Sequence, residues 1–259
     1  MNNETVNSSI PYLQIGAGRL GLMINSAIKS KSELAKLLLS KAHSNFRIDP
    51  VNGLSMALST AQPATIERLL ICIAPGRDKK WSWSNIFSGL ERQVLQKQLF
   101  INELIFISST RVYDGISQGI VTAQDHPIAQ SDRAKGIIEA EKQLIRLAKT
   151  HCILRCCGLI GEQYQQFQTY LKQEDGKVRF AVDIDQVAKK VVERLATTSS
   201  SNQYSIVTDG SCYYQGRRLA FEESIFLSSE HRLLQQSDCF KQQVRAKNRV
   251  IKNPEKPGF

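Results

Sequence analysis

The stretch Gly16-Ala17-Gly18-Arg19-Leu20-Gly21 has the residue types and the spacing to hold a pair of phosphates. In a Gly-x-Gly-x-x-Gly turn the first glycine permits a tight passage from strand to helix. The second lets backbone approach a pyrophosphate, and the third lets helix and strand pack closely. A helix starting there offers unpaired N–H groups and its positive dipole end to an anion. Three glycines alone are a weak signal, because a tight turn without a ligand uses the same spacing. Their setting strengthens it. Pro11–Ile15 leads in as a short strand, and Leu20, Leu22, Met23, Ile24, Ala27 and Ile28 follow at helical spacing. The pattern points to a dinucleotide, NAD or NADP, gripped by Gly16, Ala17, Gly18, Arg19, Leu20 and Gly21. The residue that distinguishes the two should lie about 20 positions further on. That window, Lys36–Ser40, falls inside a helical pattern over Glu33–Lys41. Asp49 or Arg47 could serve only from a displaced second strand, so the choice between NAD and NADP stays open.

The elements behind the turn alternate. Phe46–Asp49, stopped by Pro50, reads as a strand. Leu69–Ala74 and Leu104–Ser108 are near-continuous apolar runs, as parallel strands buried on both faces should be. Helices are expected over Trp83–Leu99, Ser131–Lys149, Gln163–Lys172 and Asp185–Leu195, with strands at Ile153–Cys156 and Tyr204–Val207, the last readable strand. A turn sits at Asp175-Gly176, and Thr197–Ser201 is a small polar linker. Such alternation predicts a mostly parallel sheet with right-handed crossovers.

Composition narrows the class. With 259 residues, 42% hydrophobic and 22% charged, the chain can bury a sizeable core as one α/β domain. It lacks the apolar run on the order of 20 residues that a membrane span needs, and its start lacks signal-peptide character. A cytoplasmic location with reduced thiols is therefore expected. Of six cysteines, only Cys152, Cys156 and Cys157 cluster, in an apolar stretch where Cys acts as a small hydrophobe. No metal site is expected from that spacing. The net charge of +10 is concentrated in Lys241–Phe259, where six basic residues face Glu255 alone. A solvated tail is the plain reading. The body shows no nucleic-acid-binding pattern, so nucleic acid is not the expected partner.

A second motif is more specific. In Ile105-Phe106-Ile107-Ser108-Ser109-Thr110-Arg111-Val112-Tyr113 a hydrophobic strand ends in Ser-Ser, followed by Val-Tyr and then Gly115. This resembles the extended short-chain dehydrogenase/reductases, most closely their small, atypical bacterial members of the NAD(P)-dependent nucleoside-diphosphate-sugar epimerase/dehydratase type. Other stretches agree in order. Ile73-Ala74-Pro75 resembles the family's fourth-strand end beside the cofactor, and Asp125-His126-Pro127 its acidic-x-Pro stretch. Arg133 through Glu141 resembles the helix with the Ala-Glu signature, and Ile153 through Gly158 and Gly161 the sixth strand and its loop. Val182–Ala188 and Tyr204–Asp209 resemble a late helix start and a late strand. The resemblance spans Tyr12 to Arg249 and is weakest over 30–60.

The resemblance implies a Rossmann-type, doubly wound, mostly parallel sheet with a small C-terminal substrate lobe. It places the NAD(P)-binding core at 1–160, the partly interleaved lobe at 161–240 and a basic tail at 241–259. Ala74, Pro75 and Ser108 join the cofactor contacts. Ser109 would hold a substrate oxygen. In the family a tyrosine is the acid/base, with a lysine four residues later lowering its pKa, since an unperturbed phenol near about 10 is a poor base at neutral pH. Here the motif departs. Aligned on Glu139, Ser131 and Lys135 take those two positions; aligned on Ala140-Glu141, Arg133 and Ile137 take them. Neither register supplies the tyrosine, which leaves Lys135 and Tyr113 as candidates beside Ser109. Asp183 and Asp185 suit helix capping. Arg155 reads either as a phosphate contact or as a carboxylate's partner. Trp81 and Trp83, after Arg77, Lys79 and Lys80, read as a lid over an anionic ligand or as loop anchors.

Two functions follow as expectations. One is an NAD(P)-dependent oxidoreductase or epimerase with a small-molecule, anionic or sugar-nucleotide-like substrate, with a homodimer allowed. The other is a catalytically silent dinucleotide-binding sensor or partner-binding protein, its tail serving as contact surface.

Overall fold

Pro11 has no N–H to give to a ladder, and it breaks the first strand in two. Strands β1 (Ser8–Ile10) and β2 (Leu13–Ile15) run parallel to β5 (Ala64–Ile71) in one register, Ser8 opposite Ala64 and Leu13 opposite Leu69. The computed structural model describes residues 8–16, 18–31, 46–49, 53–56, 63–73, 83–162, 165–197 and 200–235. Next to β5 lie β6 (Leu99–Ser109), β8 (Ala148–Cys156) and β11 (Gln203–Val207), each parallel to its neighbour. Leu69, Leu70 and Ile71 are buried in succession, as are Leu104, Ile105 and Phe106. Successive strand residues point to opposite faces, so both faces of this sheet are covered.

The cover is helical. Helix α1 (Arg19–Lys29) packs with α5 (Ile184–Ala196), while α2 (Trp83–Leu95) packs with α3 (Asp132–Ile145) and both touch β6. Phe87 on α2 meets Phe106 on β6 edge to face, ring centres 6.3 Å apart. The architecture is the expected Rossmann-like α/β sheet with flanking helices. Among the described residues no helix is long and apolar enough to cross a membrane.

Among the described residues, chain beyond the core sheet forms three smaller ones. Strand β9 (Gly158–Ile160) pairs with β10 (Arg179–Asp183), then β12 (Ser211–Tyr214) and β13 (Arg217–Ala220) complete four strands. Helix α4 (Gln165–Leu171) lies between β9 and β10 in sequence, and α6 (Phe221–Ser224) follows β13. Strand β14 (Arg232–Leu234) returns to pair with β7 (Gly119–Val121).

Four expectations need correction. The helix expected over Trp83–Leu99 stops at Leu95, and Leu99 already begins β6. Strand β3 (Phe46–Asp49) does not join the main sheet; it forms an antiparallel hairpin with β4 (Gly53–Met56), and β4 packs on α2. The helix expected to reach Lys149 stops at Ile145, because Ala148 and Lys149 already pair in β8. Strands follow Val207, contrary to the sequence reading. They are only three or four residues long, and the β13 pattern Arg-Arg-Leu-Ala carries no apolar alternation. The expected helix at Glu33–Lys41, Trp81 and the basic tail lie outside the described residues.

A buried histidine makes this core sensitive to acid. His151 on β8 stands edge-on to Tyr204 on β11 at 5.3 Å, and its Nε2 has no hydrogen-bond partner among the described residues. Burial holds its pKa below the ordinary value, against the pull of Glu141. The folded state thus favours the neutral ring, and the stability this gives is present above about pH 6.5 and lost as pH falls below it. Melting temperatures measured between about pH 7 and pH 5 should fall more steeply for the parent than for His151→Phe. Equal slopes would remove His151 as the cause.

Candidate functional site

The carboxyl ends of β2, β5, β6 and β8 open onto one cavity of about 510 Å³. Its lining comes from the last residues of each strand or those just past them: Gly16 after β2, Cys72 and Ile73 after β5, Ser108 and Ser109 at the end of β6, and Cys156 at the end of β8 with Cys157 after it. Gly18, Arg19 and Leu20 close it at one end, and Arg111, Arg133, Ile137 and Leu159 line the rest. Parallel strands expose their C-terminal ends together, which is why four separate segments converge here.

Each glycine of the turn has its own physical cause. Gly16 has φ +117°, and a Cβ there would stand 2.7 Å from the Cys72 carbonyl oxygen. A Cβ at Gly21 would strike the Gly16 carbonyl oxygen, so α1 could not seat against the turn. Gly18 differs: a Cβ there meets nothing within 4 Å, and the position faces open cavity. Gly18 is also the N-cap of α1, and no side chain caps the helix. The first-turn N–H groups are therefore left for a ligand. No acidic residue stands in that turn to oppose an anion. This is a cradle suited to a diphosphate.

Gln14, which sequence reasoning passed over, holds the cradle in shape. Its Nε2 donates to the carbonyl oxygens of Gly16 at 2.7 Å and Gly21 at 3.0 Å, and its Oε1 accepts from the Tyr12 hydroxyl at 2.8 Å. The available signal was a polar residue between two core-facing strand residues, two positions before the first glycine. Replacing Gln14 with leucine removes three hydrogen bonds worth about 1 kcal/mol each. Denaturant titration should show a loss of about 3 kcal/mol for Gln14→Leu, against about 1 kcal/mol for Tyr12→Phe, which removes only one of them. A Gln14→Leu variant as stable as the parent would contradict the staple.

At the far end of the cavity, Ser109 ends β6 and caps a short 3-10 turn, its Oγ accepting from the Arg111 N–H at 3.2 Å. Ser108 is buried, and its hydroxyl donates to Glu141 Oε1 at 2.5 Å. Glu141, the last residue of the Glu-Ala-Glu signature, takes a fork of two bonds from Arg155, Nε at 3.1 Å and Nη2 at 2.8 Å. Arg155 is thus a carboxylate's partner and contacts no open surface, being only 3% exposed.

That network settles where Tyr113 lies. Its side chain is 0% exposed, its hydroxyl accepts from Arg155 Nη1 and donates to the Thr122 carbonyl oxygen at 3.2 Å. Burial raises its pKa, against the opposing pull of Arg155. Tyr113 does not line the cavity; the structure packs it in the core. Arg232 on β14 anchors the same segment, donating to the carbonyl oxygens of Tyr113 and Ile116.

Lys135 is likewise not brought to the site. Its side chain is 57% exposed, its Nζ is 3.5 Å from Asp132, and it is absent from the cavity wall. Ser131 is the N-cap of α3, accepting from the Ala134 N–H and donating to Asp114. Of the positions named by the two registers, Arg133 and Ile137 line the cavity, and Ser131 and Lys135 do not. A guanidinium and a sec-butyl apolar chain thus stand one helical turn apart on that wall. The three wall cysteines offer no ready thiolate. Burial pushes Cys72 and Cys157 up to about 12, and Cys156 higher than an ordinary thiol as well. Ala17, Ala74 and Pro75, expected at the cofactor edge, lie outside the described residues.

No family model and no curated protein sequence matches the chain. Solved structures do. The nucleoside-diphosphate sugar epimerase from Corynebacterium glutamicum superposes with TM-score 0.58 at 11% identity, over 97% of this chain and 63% of that one. MoeE5, solved in complex with UDP-glucose and NAD, gives 0.55 at 13% identity over 89% and 86% of the two chains. The UDP-N-acetylglucosamine 4-epimerase from Bacillus cereus gives 0.53 at 11% identity over 92% and 91%. The likeness is one of fold, and it is the fold that the Ser-Ser and Val-Tyr motif implies.

Proposed function

We propose that the chain binds a nicotinamide dinucleotide, NAD or NADP, and serves as an atypical oxidoreductase or epimerase for a small sugar-nucleotide-like substrate. One observation carries this reading. A single cavity joins the Gly16–Gly21 turn to Ser108 and Ser109, and at Gly18 it leaves room beside uncapped helix amides. Fold neighbours that act on sugar nucleotides, one of them solved with NAD and UDP-glucose, support it.

A nicotinamide ring in this cavity would supply hydride donation and acceptance. The chain's own residues supply the rest. The α1 amides, steered by Gln14, hold the pyrophosphate, with Arg19 beside them. Ser109 offers its hydroxyl to a substrate oxygen. Ile73, Ile107, Ile137 and Leu159 give apolar walls that exclude water. Arg133 stabilises negative charge on a ligand oxygen but transfers no proton, since guanidinium keeps its own at all working pH.

That last feature favours the second reading, a dinucleotide-binding sensor without turnover. Absorbance at 340 nm for net oxidation or reduction, together with product chromatography for epimerisation, separates the two. Protein incubated with NAD, NADP, NADH or NADPH is offered UDP-sugars, and epimerised products are followed by chromatography. Turnover with any pair supports the enzyme. Dinucleotide binding with no product from the whole panel would overturn it in favour of the sensor.

A further inference from the structure

We infer that Arg111 and Arg133 form an anion clamp at the end of the cavity away from the glycine turn, so that the second ligand carries a carboxylate or phosphate group there. This inference rests on the reading of the glycine turn as a dinucleotide site and names the class of its companion.

Charge balance is the first observation. The cavity wall holds Arg19, Arg111 and Arg133 and no aspartate or glutamate. Arg111 comes from the turn after β6 and Arg133 from the first turn of α3, so two independent elements aim cations at one space. Neither guanidinium has a hydrogen bond or ion pair among the described residues. Asp114 lies within electrostatic reach of Arg111, but its oxygens take bonds from Ser131 and the Gln130 N–H. Arg232, buried nearby, adds a further positive charge that Arg111 feels. The next acidic residue of α3 toward the core, Glu141, is spent on Arg155 and Ser108.

Position is the second observation. The glycine turn follows β2, whereas Ser109 and Arg111 follow β6, two strands away with β5 between. Two strand spacings amount to about 10 Å. A pyrophosphate on the α1 amides therefore leaves the Arg111–Arg133 pair to another group. Guanidinium forks match the planar oxygens of carboxylates and phosphates, and Ser109 stands beside them with a hydroxyl hydrogen to donate.

Glucose, glucuronate and glucose 6-phosphate differ at a single carbon and serve as neutral, carboxylate and phosphate probes. Each is titrated calorimetrically into the protein, with and without saturating NADH. One or both charged sugars should bind at least about tenfold tighter than glucose, as a charge-assisted hydrogen bond implies. The tighter of the two identifies the group. Arg133→Ala should abolish the preference, Arg133→Lys should restore part of it, and the exposed Lys135→Ala should leave it intact. NADH affinity should stay within about twofold across these variants, because they lie beyond the pyrophosphate cradle. Charged sugars that bind no better than glucose, or a preference that survives both Arg111→Ala and Arg133→Ala, would overturn the clamp. Should NADH itself fail to bind, the dinucleotide reading falls, while the titrations without NADH still decide the clamp.

Discussion

A Gly18→Asp variant should fold as the parent does and lose NADH affinity by about 30-fold or more. The backbone at Gly18 is extended, φ −70° and ψ −175°, which any residue adopts, and a Cβ there meets nothing. Aspartate is a favoured N-cap, so α1 gains a cap and stability is kept. Binding suffers twice. The new carboxylate accepts from the first-turn N–H groups that a phosphate would use, and its charge repels that phosphate. Two unit charges about 4 Å apart repel by about 4 kcal/mol at an effective dielectric of about 20, and half of that is already about 30-fold. Gly18→Ala, which adds volume without charge, should cost only a few-fold. Gly21→Val should instead lose stability and binding together, because its side chain strikes the Gly16 carbonyl. Fluorescence titration and thermal melting of the three variants check this pattern. Unchanged NADH affinity in Gly18→Asp would remove the turn from ligand binding.

The second large effect is on stability. Glu141 and Arg155 form a buried ion pair beneath the cavity, 5% and 3% exposed, and Ser108 and Tyr113 bond into it. Glu141→Ala strands the Arg155 charge in the core, which typically costs about 3–5 kcal/mol. At roughly 2–4 °C per kcal/mol for a chain of this size, the melting temperature should drop by about 10 °C. Replacing both partners with methionine removes the stranded charge, and the double variant should recover more than half of the loss. A Glu141→Ala protein within about 1 kcal/mol of the parent would show that the pair does not hold α3 to β8.

The sheet was legible because buried parallel strands advertise themselves: Leu69–Ile71 and Leu104–Phe106 are apolar without interruption, and the structure buries every one of them. The glycine turn was legible because only glycine fits at Gly16 and Gly21. The strand at Phe46–Asp49 was legible but its antiparallel partner Gly53–Met56 was not, since four residues of strand pattern do not say which strand they pair with. The C-terminal strands escaped notice because three- or four-residue strands bury too few side chains to set a period. In the site, the Ser-Ser motif located the cavity, but spacing alone could not choose between two registers of α3. The structure makes Ser131 a cap bonded to Asp114 and leaves Lys135 exposed, while Arg133 and Ile137 line the cavity. Tyr113 and Gln14 both have their polar groups bonded inside the fold. A residue's type gives its chemistry, but only its partners show whether that chemistry is free or already used.

The most direct test is a titration of NADH and NADPH into the unmodified protein, followed by enhancement of nicotinamide fluorescence. Saturable 1:1 binding of at least one of them, lost in Gly18→Asp but kept in Lys135→Ala, is the predicted result. Absence of saturable binding by both, up to millimolar concentration, would contradict the assignment of the Gly16–Gly21 turn as a dinucleotide site.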